Sequence, residues 1–180
     1  MNENDLKRKL LKADADTLSV LWKAHSVSIL NLAFRILQDR DAAEDVLMDL
    51  FVDLPKTIQS FRGEASFSTW FYRMTVNACL MRIRKSKRHS ELEELNSLSI
   101  SENIIGRPDE VDVFDAKLLE YGLSSLPAET RSMLWLKDAE GLELKELSEI
   151  FNLPEGTLKS KLSRARQHVR EILKEEKVYA

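Results

Sequence analysis

The sequence predicts an all-α protein of two small helical domains joined by an acidic, flexible linker. Three observations predict it. Apolar residues recur at helical spacing in several long stretches, and few alternating β-branched runs suggest strands. Gly and Pro number only 5 and 4 in 180 residues, so few positions break a helix. One segment loses the pattern altogether: residues 90–112 gather Glu91, Glu93, Glu94, Glu102, Asp109, Glu110 and Asp112 against a single base, Arg107. It reads as an extended solvated spacer. The expected division is therefore a domain over 1–89, the linker over 90–112 and a second domain over 113–180.

Three helices are expected in the N-terminal domain. The first follows a cap at Asp16-Thr17 and carries Leu18, Leu21, Trp22, His25, Ile29, Leu32, Ala33, Ile36 and Leu37 at helical intervals. Gln38-Asp39-Arg40-Asp41 breaks it. The second carries Ala43, Val46, Leu47, Leu50, Phe51 and Leu54, is perturbed by Pro55 and ends by Phe61-Arg62-Gly63. The third opens at Ala65 or Ser66 and ends near Lys87, with Phe67, Trp70, Phe71, Met74, Ala78 and Met81 as its apolar face. It has a second stripe: Arg73, Asn77 and Arg84, with Leu80 between them. A dense cationic end follows, made of Arg82, Arg84, Lys85, Lys87, Arg88 and His89. Basic residues interleaved with aromatics suit a single-stranded or melting nucleic acid, whose bases stack or flip. Phe67, Trp70 and Phe71 share the core face and read first as packing.

The C-terminal domain is expected to hold helices at 114–123, 128–139, 143–151 and 155–175, punctuated by Leu126-Pro127, Glu140-Gly141 and Asn152-Leu153-Pro154. A short helix, a turn and a longer helix make the helix-turn-helix layout. At roughly 100° per residue, Leu158, Leu162, Ala165, Val169, Ile172 and Leu173 fall on one arc. Opposite them stand Ser160, Ser163 and Gln167. Lys159, Arg166 and Arg170 form one rim; Lys161, Arg164 and His168 form the other, with no acid from Thr157 to Arg170. A small polar centre permits approach to base edges, and cationic rims neutralise phosphates. A merely basic surface helix is the plain alternative. A membrane-surface helix would want aromatic anchors, which this one lacks.

The net charge of −3 argues weakly against nucleic-acid binding on average, but the charge is segregated along the chain. No window approaches the roughly 20 apolar residues of a membrane span, and no secretory signal opens the chain. The single Cys79 leaves no internal disulfide and fits a reducing cytoplasm. His25, His89 and His168 lie far apart, so neither a metal, a cofactor nor a catalytic cluster is expected.

Three blocks in order carry a family resemblance: AEDVLMDLFVDL, FRGEASFSTWFYRMTVNACLMRIRK, and LPAETRSMLWLKDAEGLELKELSEIFNLPEGTLKSKLSRARQHVRE. Together they resemble RNA polymerase sigma factors of the extracytoplasmic-function (ECF) type, from about Leu18 to Leu173. The resemblance implies a bacterial, non-enzymatic subunit. It would bind core polymerase, direct it to promoters and help melt the minus-ten element of a stress- or signal-responsive gene set. The segment Ala43–Leu54 is similar to the family's docking surface for the β′ clamp helices, with Glu44, Asp45, Met48, Asp49, Phe51 and Val52 as its contacts. Met48 departs from the Gln usual there.

The loop Phe61–Ser68 resembles the one that captures a base flipped from the minus-ten element. The implied minus-ten residues are Phe61, Arg62, Ser66, Phe67, Arg73, Asn77, Arg84, Lys85 and Arg88. Ser68 stands where many members carry a basic or larger side chain. The helix-turn-helix resembles the minus-thirty-five reader, through Thr157, Lys159, Ser160, Lys161, Ser163, Arg164 and Arg166. The acidic linker is similar to one that threads the polymerase's product-RNA path. Implied partners are core RNA polymerase (β′ clamp helices and β flap), promoter DNA and an anti-sigma factor, with no insertion into a membrane. The chain ends soon after the recognition helix, so no appended sensor domain is expected. A stand-alone helix-turn-helix regulator would explain only the C-terminal domain. A nuclease would need a metal or acid–base cluster.

Overall fold

The computed structural model describes residues 3–90 and 113–178, and every regular element among them is helical. The elements are α1 (Glu3–Leu11), α2 (Ala15–Leu37), α3 (Arg40–Thr57), a 3-10 turn (Ile58–Ser60), α4 (Phe67–Ser90), α5 (Val113–Ser124), α6 (Ala128–Asp138), α7 (Leu144–Phe151) and α8 (Glu155–Val178). The all-α expectation holds. The acidic segment read as a linker lies, from residue 91 to 112, outside the described residues.

The N-terminal unit has four helices where the sequence predicts three. Helix α1 buries Leu6 and Leu10 against the core. Two anchors among charged residues make a weak periodic signal, so periodicity does not find this helix. Lys7 Nζ fastens it by donating to the Gln59 and Phe61 carbonyls at 3.1 and 2.8 Å. Helix α2 starts earlier than the expected cap: the Asp14 carboxylate accepts from the Thr17 N–H at 2.9 Å. Gln38, in the left-handed region at φ 55°, ends it. Asp39 caps α3. Pro55 does not stop α3, which runs on to Thr57; only the bond to the carbonyl four residues back is forgone.

The core of this unit is aromatic at its centre. Phe51 meets Phe71 edge-on at 5.3 Å, Trp22 meets Phe51 at 4.8 Å, and Phe61 meets Trp70 at 5.4 Å. Each fully buried ring of this size stabilises by about 1.5–3 kcal/mol. Met81 departs from its expected place on the apolar face. It is 67% exposed and lines the open groove between α3 and α4.

In the C-terminal unit the helix bounds fall within a few residues of those the punctuation predicts. Glu143 and Glu146 form a capping box at the start of α7. Asn152 ends α7 in the left-handed region at φ 53°, and Pro154 precedes α8. Met133, Leu136, Leu147, Leu158 and Leu162 make the core. Gly122 lets α5 lie close on α8, since a Cβ there would meet Val169 Cγ1 at 3.3 Å.

The two units are docked on each other, α2 against α6 and α4 against α6 and α7. Arg131 is the centre of this contact and is 5% exposed. Its guanidinium donates to the Arg35 carbonyl and, at 3.1 Å, to that of Ile36, at the C-terminal end of α2. It also donates to the carbonyls of Ser124, the last residue of α5, and of Leu126, at 2.9 and 3.3 Å. One cation thus satisfies the free carbonyls of two helix ends. Beside it, Arg35 pairs with Glu120 and lies 4.7 Å from the centre of the Trp135 ring.

Candidate nucleic-acid interface and docking groove

Helix α8 is held by its apolar arc, with Leu158, Leu162, Ala165 and Val169 all buried. Rotation about the helix then fixes everything else. Lys159, Ser160, Ser163, Arg164, Gln167 and Arg170 are exposed, and Thr157 and Lys161 are half-buried at the edge. The outward face therefore has the small centre expected of it. Its rims are less free. Arg166 is half-buried and makes a two-pronged bond to Asp138 of α6, at 2.6 and 3.1 Å. That bond raises the guanidinium's pKa. The His168 ring lies 3.0 Å from the Ser125 hydroxyl. Both partners come from elsewhere in the chain, so a helical wheel of α8 alone does not find them.

The loop before α4 forms a second site. Ser66 caps α4: its hydroxyl accepts from the Thr69 N–H at 3.1 Å, and its carbonyl accepts from the Trp70 N–H at 3.0 Å. Ser60, Phe61, Arg62, Gly63, Glu64 and Ala65 line a cavity of about 550 Å³ with Trp70 and Arg73. Gly63 turns the loop at φ 73°. Phe61 is buried beneath the cavity, Phe67 is half-buried, and Arg62, Ser66 and Arg73 are exposed. Asn77, Arg84 and Lys85 follow along the exposed side of α4. The side chain of Arg88 lies outside the described residues.

A third surface lies on α3. Met48 and Val52 are 53% and 67% exposed, with Asp45 and Asp49 beside them. Asp45 reaches Arg82 of α4 at 2.8 Å, and Glu44 pairs with Arg40 at 2.7 Å. Phe51 is turned inward and supports the face from below. Between α3 and α4 runs a groove of about 1130 Å³ whose walls include Asp49, Asp53, Met81, Arg82 and Lys85.

Sequence reading misses the cover over the loop cavity. Glu149 and Asn152 of α7 complete its wall. Ser66, Thr69 and Glu146 form a hydroxyl relay: Ser66 Oγ lies 2.8 Å from Thr69 Oγ1, which donates to Glu146 Oε1 at 3.0 Å. Tyr72 donates to Glu140 Oε2 at 2.9 Å. Burial and that carboxylate push the Tyr72 phenol up to about 12. Burial likewise pushes the Cys79 thiol up to about 12. Among the described residues no cluster of three or more His, Cys, Asp or Glu could hold a metal ion. No helix among them is long and apolar enough to cross a membrane.

The family model described as Sigma-70 region 2 matches residues 21–89, and that described as Sigma-70, region 4 matches residues 117–169, together more than half of the chain. The chain is 27% identical over 177 residues to the ECF RNA polymerase sigma factor SigW of Bacillus subtilis (strain 168), covering 93% of this chain and 95% of that protein. It is 29% identical over 155 residues to the ECF sigma factor SigM of Mycobacterium tuberculosis, covering 85% and 75%. In fold it is similar to RpoE from Bartonella quintana, solved in complex with the anti-sigma factor NepR, with a TM-score of 0.70 at 23% identity over 87% of this chain and 96% of that one. It is similar also to CnrH in complex with the cytosolic domain of CnrY, with a TM-score of 0.67 at 17% identity over 96% and 97%.

Proposed function

The chain belongs to the sigma-70 family as a sigma factor of the ECF type, and on that premise we propose which of its surfaces carries each step of promoter-specific initiation with core RNA polymerase. Residues 1–89 bind the polymerase and the minus-ten element; residues 113–180 bind the minus-thirty-five element; the acidic segment between them joins the two. Met48 and Val52, flanked by Glu44, Asp45 and Asp49, meet the β′ clamp helices, with Phe51 holding the face from beneath. The C-terminal unit meets the β flap.

The loop cavity takes an unstacked base of the minus-ten strand. Phe61 and Trp70 give it a stacking floor, with the half-buried Phe67 packed against both rings, while Arg62, Arg73, Arg84, Lys85 and Arg88 follow the phosphates and Ser66 and Asn77 make polar contacts. Trapping that base supplies melting energy by binding alone. Catalysis belongs to the polymerase, and this chain contributes no reacting group. Thr157, Lys159, Ser160, Lys161, Ser163 and Arg164 read the minus-thirty-five element, with Arg166 on the rim steadied by Asp138. The genes served answer to a stress or signal, and the site of action is the cytoplasm, where the polymerase works. By extension from RpoE and CnrH, an anti-sigma factor binds the chain.

The observation that carries this reading is the exposed apolar pair on α3, in the same chain as the base-reading face of α8. The plain helix-turn-helix regulator leaves that pair without a purpose. Run-off transcription by core polymerase with this protein, on promoters selected from random sequence, tests the whole reading. Met48→Glu with Val52→Glu is expected to abolish binding to core and leave helix content unchanged. Full retention of core binding by that variant overturns the docking assignment.

A further inference from the structure

The loop between the 3-10 turn and α4 has no regular structure of its own, yet a base can be held only by a cavity of fixed shape. A loop free to take many shapes binds with an affinity reduced by the fraction of molecules in the right one. The chain is tied down on both sides of the loop. On the far side Ser66 caps α4. On the near side the tie comes from α1, 52 and 54 residues away in sequence.

Lys7 Nζ donates to the Gln59 carbonyl at 3.1 Å and to the Phe61 carbonyl at 2.8 Å. Both carbonyls lie where the helical run of α3 and the 3-10 turn gives out, so no later turn of helix brings them an N–H. Carbonyls at such an end carry partial negative charge, and an ammonium makes charge-assisted bonds to them. A lysine that only kept the surface soluble would extend into water. Lys7 is half-buried and turns two of its donors onto the backbone.

The two acceptors flank Ser60, and Ser60 and Phe61 both line the cavity. Fixing the Phe61 carbonyl fixes the peptide unit between the buried Phe61 ring and Arg62. The anchor itself is firmly seated. Leu6 and Leu10 of α1 are buried, and Asp5 pairs with Arg8 and Lys9 along the same helix.

We propose that Lys7 is a positioning residue for base capture: from α1 it sets the shape of the loop that takes the unstacked minus-ten base, without touching a nucleotide itself. This rests on the assignment of the loop cavity above.

The test uses holoenzyme assembled with the full-length chain and a fluorescent single-stranded oligonucleotide. The oligonucleotide carries the minus-ten sequence of a promoter the holoenzyme transcribes. Abasic sites placed along it in turn identify the captured position, as the one whose missing base weakens wild-type binding most. The variant is Lys7→Met, which keeps an apolar stem and removes the donors. It is expected to bind the intact strand about tenfold more weakly than wild type, and the strand abasic at the captured position within about twofold of wild type. Affinity for core polymerase and for a minus-thirty-five duplex should not move.

A control, Cys79→Ala, trims a buried side chain on α4, roughly 18 Å along the helix from Phe67 at ~1.5 Å per residue. It should leave strand binding unchanged. An equal loss in the control reduces the effect to stability and overturns the proposal. So does a folded Lys7→Met that binds the intact strand as wild type does. If Lys7→Met does not fold, Lys7→Gln, which keeps a shorter neutral donor, replaces it and is read in the same way. If no abasic site weakens wild-type binding, the loop captures no base, and the minus-ten assignment falls with the proposal. An abasic penalty that Lys7→Met leaves undiminished overturns the proposal and leaves the assignment standing.

Discussion

The two proposed nucleic-acid surfaces of this molecule differ in construction. The C-terminal surface is one face of one helix: burying Leu158, Leu162, Ala165 and Val169 fixes where Lys159, Ser160, Ser163 and Arg164 point. The N-terminal surface is assembled from a loop, a helix start and a buried aromatic floor, and part of its wall belongs to the other unit. A single-helix site follows from periodicity alone. An assembled site depends on contacts 68 and 77 residues apart in sequence, and no local pattern encodes those.

Substitutions in the two cores should give the largest effects and ask whether the ends are energetically separate. Phe71→Ala should cost about 3–5 kcal/mol and Leu158→Ala about 2–5 kcal/mol. Both residues are fully buried, each in its own unit. Because the units dock, either change is expected to lower the unfolding midpoint reported by both. Chemical denaturation checks this with two probes: accessibility of the buried Cys79 thiol for the N-terminal unit, and fluorescence of Trp135 with the other tryptophans replaced for the C-terminal one. Strictly independent midpoints would break the picture of one coupled body.

Arg131→Met comes next. It leaves carbonyls at the ends of α2 and α5 without their donor, at about 1–3 kcal/mol. The expected sign of decoupling is that the two probes, coincident in the wild type, separate. Coincident transitions in the variant would assign the coupling to the apolar packing instead.

Binding substitutions sharpen the contrast between the surfaces. Arg164→Ala should relax preference at one minus-thirty-five position and cost roughly 1–3 kcal/mol there. A uniform loss across sequences would make Arg164 a phosphate contact. Lys85→Ala with Arg88→Ala should weaken binding evenly and reduce the salt slope by about one for each phosphate no longer neutralised. An unchanged slope would place both cations in solvent.

The smallest effect is a titration. Tyr72 is raised from 10 to about 12, by burial first and by its bond to Glu140 second. The neutral phenol is the form the docked chain favours. Its contribution to stability is complete below pH 10 and is lost as pH rises through about 12. Ultraviolet titration should show one of the three tyrosines ionising late, with a smaller delay in Glu140→Gln. Three tyrosines titrating together near their ordinary value would show that the Tyr72 contact does not form in solution.

Much of the fold is legible in the sequence. Leu126-Pro127, Glu140-Gly141 and Asn152-Leu153-Pro154 mark the C-terminal helices because each stops a helix chemically: a missing donor, a flexible backbone, a left-handed turn. Helix α1 is illegible because Leu6 and Leu10 alone anchor it. Met81 has core spacing, yet it projects into the groove beside α3, a distinction periodicity does not make. Of the residues the family resemblance nominates, most are exposed, whereas Phe51 and Phe61 are buried. The cation rim of α8 reads as free in the sequence, but Asp138 holds Arg166 from 28 residues away.

Arg131 has one more consequence, which concerns reciprocity. A residue that closes the ends of a helix in each unit joins their conformations into one equilibrium. Any ligand that favours the undocked form of one unit raises the apparent affinity of the other for a ligand that also prefers that form, and thermodynamic linkage makes the factor the same in both directions. The loop before α4, walled by α7 in the docked form, is the surface whose exposure this equilibrium sets, whereas the outward face of α8 is already exposed there. A partner that prefers the docked form would keep that loop covered while touching either unit alone.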